Sequence, residues 1–160
     1  MTEGGSVHLT GWVTSGDGFQ VALVDISLVG KNGLDLVRTL KAAHPDMLIL
    51  IISMHDEVVY AKRALKAGAR GYVMKQETTS VMLDAIKTVL SGKIYVSAAM
   101  RDRLLESVFT KQREGEMPSV ERLSDRELEV LDLIGQGYGA ADIAKLLNLS
   151  VKTVNAYLLG

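Results

Sequence analysis

The chain has 160 residues, 48% of them apolar, 23% charged and 5% aromatic, enough for one modest α/β core and a small second domain and unlike a disordered or fibrous chain. Its 18 Lys and Arg against 19 Asp and Glu leave a net charge of −1, which excludes a protein that grips nucleic acid through bulk positive charge; any DNA contact has to be local. With no cysteine, disulfides, thiolate catalysis and Cys-ligated zinc are excluded and a reducing cytoplasm fits, while the longest apolar run, Met47 to Ile52, is far below membrane-spanning length.

In chain order, residues 1–19 are glycine-rich and poorly specified, with an alternation at Ser6 to Val13 that allows at most one weak strand. From Gln20 on, strand-length apolar runs alternate with helical periodicity, which predicts a parallel α/β sheet. Val21 to Asp25 reads as a strand, followed by a helix capped by Asn32, with Leu34, Val37 and Leu40 on one face and Pro45 beyond its end. Leu48 to Ser53 is the second strand; its helix starts near Asp56, turns Ala61, Ala64 and Leu65 inward and stops at Gly68. Gly71 to Met74 is the third, and a helix from Thr79 to Ser91 places Leu83, Ile86, Val89 and Leu90 on its apolar side, with Gly92 as stop.

After Ile94 to Val96, an amphipathic stretch from Ala98 to about Gln112 carries Leu104, Leu105 and Val108, then residues 113–122 turn polar. A helical block begins at Ser124, whose capping box closes with Glu127 ahead of Leu128, Leu131 and Ile134. Two short helices follow, Ala141 to Leu147 and Val151 to about Leu159.

Chemistry in an open parallel sheet collects at the C-terminal strand ends, which here deliver Asp25, Ser53 and Lys75. A carboxylate, a hydroxyl and an ammonium together suit phosphoryl chemistry: one attacks phosphorus, one bonds a phosphoryl oxygen, one offsets the new charge. A dehalogenase-type phosphatase is rejected because Ser27, two residues after Asp25, supplies no second carboxylate, and Gly16 with Gly18 lacks the strand and third glycine of a dinucleotide loop. His55 reads as a solvated loop residue.

Val24-Asp25-Ile26-Ser27-Leu28, with Gly33 eight residues after the aspartate, resembles the phosphoacceptor strand and loop of bacterial response-regulator receiver domains. By that resemblance Asp25 is the phosphorylation site, Ser53 the switch hydroxyl, Tyr72 the switch aromatic and Lys75 the lysine of the site; phosphorylation would draw Ser53 toward the phosphoryl group and let Tyr72 rotate inward. The implied fold is flavodoxin-like, of strand order 2-1-3-4-5. Five strand–helix units of roughly 24 residues need about 120, whereas only about 80 precede the linker, so the parallel sheet is expected to be incomplete. The family's Mg²⁺ would be held by Asp25, the Ser27 backbone carbonyl and an acidic pair; Glu3 and Asp17 are isolated and do not form that pair, so metal binding is expected to be weak or absent. Val29 stands where many receivers carry proline.

Leu123 to Leu131, Gly135-Gln136-Gly137 and Ala141 to Tyr157 resemble a LuxR-type helix-turn-helix, with Ile143, Ala144, Leu147 and Leu149 inside and Ser150 capping a recognition helix. The resemblance places Lys152 and Thr153 at backbone phosphates and Asn155, Ala156 and Leu159 facing bases or backbone. Residues 119–160 carry 4 basic and 6 acidic side chains, so DNA binding is expected to be weak and salt-sensitive.

The whole resembles a response regulator of the NarL/LuxR (FixJ) family, expected to be truncated at both ends: 1–19 unassigned, a partial receiver at 20–97, a helical linker at 98–122 and an incomplete LuxR-type domain at 123–160. The implied function is transcriptional control, with a sensor histidine kinase, promoter DNA and a second copy of the chain as partners, no membrane and no enzymatic activity. The alternative is a degenerate, phosphorylation-independent receiver that binds intact regulators.

Overall fold

The computed structural model describes residues 9–14, 20–26, 33–109 and 120–159. Its order is β1 (Leu9–Thr14), β2 (Gln20–Asp25), α1 (Gly33–Ala43), β3 (Leu48–Ser53), α2 (Glu57–Ala67), β4 (Gly71–Met74), α3 (Thr79–Leu90), α4 (Ala98–Phe109), α5 (Asp125–Gly135), α6 (Ala140–Leu147) and α7 (Val151–Leu159). Asn32, Ser27, Val29, Gly16, Gly18, Glu3 and Asp17 lie outside the described residues.

The sheet runs β1-β2-β3-β4. β2, β3 and β4 pair in parallel, with Asp25 opposite Ile52 and Ser53 opposite Met74. These three strands form the expected parallel sheet, and the weak strand allowed in residues 1–19 is β1, which pairs with β2 antiparallel as a hairpin arm, through a register shift between Leu9 and Gly11. In the order 2-1-3-4-5 the strand ending in the phosphoacceptor is flanked by the first strand; here β1 covers that edge instead and satisfies β2's outer backbone groups. At the far edge, Tyr72 N donates to Tyr95 O at 3.0 Å and Tyr95 N to Arg70 O at 3.0 Å, a rudiment of one more parallel strand.

Strand side chains alternate between two cores, as a two-residue period requires. Ala22, Val24, Ile49, Ile51 and Tyr72 face α1, α2 and α4, while Val21, Leu50 and Val73 meet Ala85 and Val89 of α3 on the opposite face. Asp56 caps α2, its side chain accepting from Val58 N at 2.8 Å, and Gly68 ends it with φ 118°, a left-handed turn that a Cβ would strain.

Three expected faces shift. Leu83 is half exposed on α3, where Ala85 and Val89 carry the contact. On α4, Met100 and Leu104 join the receiver core, whereas Leu105 and Val108 are exposed. On α5, Leu131 and Ile134 are exposed and Leu128, Val130 and Leu133 are buried. Apolar residues at 128, 130, 131, 133 and 134 make a stripe wider than one contact, and packing of Val130 and Leu133 against α6 and α7 selects the buried edge.

Candidate functional site

Asp25 and Ser53 are the last residues of adjacent parallel strands, and Lys75 directly follows β4, so the topology sets all three at one end of the sheet. Lys75 N donates to Ser53 O at 2.7 Å, which fixes the lysine beside the hydroxyl. Lys75 Nζ lies 2.6 Å from Asp25 Oδ2, with the carboxylate side chain 4% exposed and the lysine 44%. A nearly buried carboxylate is thereby neutralised by a cation that still reaches solvent.

Ser53 is fully buried and its Oγ accepts from His55 N at 2.9 Å. Tyr72 is buried too, its hydroxyl donating to His55 O at 2.8 Å. Burial pushes the Tyr72 phenol above its ordinary range, with a hydrogen bond from Ser53 acting in the opposite sense. The inward position that the sequence reading reserves for the phosphorylated state is therefore the one Tyr72 holds in this structure.

His55 is not the solvated loop residue expected. Its ring stacks on Tyr60 with centroids 4.7 Å apart, and Nδ1 lies 3.1 Å from Asp132 Oδ2 on α5. No sequence motif marks it, because its partner sits on another domain 77 residues away. A second contact between the domains centres on Asp125, the first residue of α5: Arg63 Nη1 donates to it at 2.8 Å and Arg38 Nη2 donates to its other oxygen. Arg63 Nη2 also donates to Val120 O at 3.0 Å and Leu123 O at 2.7 Å, so one guanidinium holds the whole approach to α5.

The Mg²⁺ expected from the resemblance needs several carboxylates at Asp25. Among the described residues no group of three or more His, Cys, Asp or Glu could hold a metal, and Glu3, Asp17 and Ser27 lie outside them.

In the C-terminal block, Ser124 accepts from Glu127 N at 3.2 Å to cap α5. Ser150 accepts from Thr153 N at 3.1 Å to cap α7, and the two hydroxyls lie 2.8 Å apart, which commits Thr153 to the cap. Lys152, Asn155, Ala156 and Leu159 are exposed along α7 while Val154 is buried, so the expected DNA-facing side is open. No helix among the described residues is long and apolar enough to cross a membrane.

Comparison with known proteins agrees with this geometry. Residues 6–87 match the response regulator receiver domain, and residues 121–159 match the luxR family of bacterial regulatory proteins. The oxygen regulatory protein NreC of Staphylococcus epidermidis is 37% identical over 142 residues, covering 86% of this chain and 65% of the relative. NreC of Staphylococcus aureus is 36% identical over 141 residues with the same coverage, so the chain spans 65% of the length of these curated relatives. Among solved structures, RcsB from Salmonella enterica serovar Typhimurium bound to promoter rprA in the presence of the phosphomimetic BeF3⁻ aligns with TM-score 0.55 at 26% identity, over 86% of this chain and 64% of RcsB. RcsB bound to promoter P1flhDC aligns with TM-score 0.56 at 26% identity and the same coverage. The chain belongs to the response regulators that join a receiver domain to a LuxR-family helix-turn-helix domain.

Proposed function

We propose that this chain is a transcription regulator of the cytoplasm, not an enzyme, in which Asp25 accepts a phosphoryl group from a sensor histidine kinase and α7 reads promoter DNA, with a second copy of the chain completing the DNA-binding unit. The observation that carries the reading is the Lys75–Asp25 contact of 2.6 Å beside a buried Ser53. In the transfer, an Asp25 carboxylate oxygen bonds to phosphorus as the P–N bond of a phosphohistidine breaks, its electron pair passing to the imidazole. Lys75 then faces the added negative charge. Ser53 turns to a phosphoryl oxygen and leaves His55 N, and the loop that carries the His55–Asp132 contact moves with it.

Because α7 is exposed while the clamp on Asp125 is closed, the receiver acts on the reader's orientation or pairing rather than by covering its recognition helix. Lys152, Asn155, Ala156 and Leu159 are the DNA-contacting side chains in this reading, with Thr153 serving the cap.

One observation favours a second reading, phosphorylation-independent binding to intact regulators: Tyr72 is already inside, bonded to His55 O. Incubation with Mg²⁺ and acetyl phosphate separates the two. A phosphoryl mass gain that disappears in Asp25→Asn supports the first; no gain supports the second.

A further inference from the structure

Away from the strand ends, α2 and α4 diverge around a cavity of about 410 Å³, within the range of small-molecule sites. Its apolar lining comes from Val58 and Val59 of α2 with Met100 and Leu104 of α4, of which Val58 is the exposed one. Its rim is cationic. Lys62 and Lys66 stand one turn apart on α2 and Arg103 lines the cavity from α4; among the described residues the side chains of these three make no ion pair or hydrogen bond. Arg38 and Arg63 close the side next to α5, where both are held by Asp125. Among the described lining residues these five cations face three acids, Glu106, Glu121 and Asp125, and Asp125 is taken up by Arg38 and Arg63.

Cations gathered beside apolar side chains repel one another and lower their energy by accepting a negative group whose body covers those side chains. We propose that this cavity binds a small organic anion, with a phosphate, sulfonate or carboxylate on Lys62, Lys66 and Arg103 and a flat apolar body over Val58 and Val59. The site is separate from Asp25 and does not depend on phosphorylation. An anion there also competes with Asp125 for Arg38 and Arg63, so occupancy loosens the grip on α5.

The test uses the full chain with anilinonaphthalene sulfonate, which carries both features and fluoresces when bound, and with adenosine monophosphate, adenosine and inorganic phosphate as competitors. The expected result is saturable one-to-one dye binding, displaced by adenosine monophosphate and much less by adenosine or phosphate. Binding is expected to weaken about tenfold or more in Lys62→Gln with Lys66→Gln, and independently in Arg103→Gln, while Lys87→Gln on α3 at the opposite sheet face leaves it unchanged. Neither α2 lysine anchors the fold, and unchanged thermal unfolding of the variants checks this. Absence of dye binding, equal affinity in the double variant, or displacement by adenosine or phosphate as strong as by adenosine monophosphate overturns the proposal.

Discussion

His55 Nδ1 meets Asp132 Oδ2 at 3.1 Å, and the same histidine's backbone donates to Ser53 Oγ at 2.9 Å and accepts from the Tyr72 hydroxyl at 2.8 Å. One residue thus touches Ser53 and Tyr72 through its main chain and the C-terminal domain through its ring. A partly exposed pair of this kind contributes about 0–1 kcal/mol, so the expected stability losses of His55→Gln and Asp132→Asn are small. Their dependence on each other is the informative quantity. In a double-mutant cycle on thermal unfolding, the double variant is expected to be no less stable than the worse single variant; strictly additive losses would show that the two residues do not interact.

The Asp125 clamp predicts a pH dependence. Burial raises its carboxyl, but the hydrogen bonds from Arg38 and Arg63 and their charges outweigh that, and the group titrates below its ordinary value of 3.8. A carboxyl whose pKa is lower folded than unfolded contributes stability above the unfolded value and loses it as pH falls through the folded one. Cohesion between receiver and reader is therefore expected to be insensitive to this group from neutral pH to about 4 and to fall below that. Hydrogen exchange in the first turn of α5 reads it, and Asp125→Asn is expected to exchange faster at neutral pH without the further acid-dependent step.

Gly33 opens α1 against the chain leaving β2. A Cβ built there comes 2.5 Å from Ile26 Cβ and 2.9 Å from Ile26 Cα, closer than side-chain adjustment can relieve. Gly33→Ala is expected to cost about 1–3 kcal/mol, measured by denaturant unfolding. Ile26→Ala in that background is expected to give no rescue, because the clashing Cα and Cβ remain.

The sequence spacing carried the strand ends well, because Asp25, Ser53 and Lys75 are placed by local elements whose period and caps are visible in the chain. What it missed is tertiary. Nothing in the sequence sets Val130 and Leu133 above Leu131 and Ile134 until α6 and α7 choose a side. Arg38, Arg63 and His55 look like ordinary surface residues until Asp125 and Asp132 are brought to them from the other domain. The hairpin of β1 was legible only as an alternation in Ser6 to Val13; its antiparallel sense follows from its short connection to β2.

Lys152 is exposed in the first turn of α7, where a helix N-terminus and a cation can both meet a phosphate, whereas Thr153 is engaged by Ser150. Each neutralised phosphate contributes about 0.9 to the slope of log K against log salt. Lys152→Ala is therefore expected to weaken binding to any duplex and to reduce that slope by about one. Thr153→Ala is expected to leave the slope unchanged and to lower the stability of the C-terminal block by about 0.5–1 kcal/mol through the weakened cap. Fluorescence anisotropy of a labelled duplex across a low-salt series measures the slope. An unchanged slope in Lys152→Ala would remove Lys152 from the DNA interface, and a slope lost in Thr153→Ala would restore Thr153 to it.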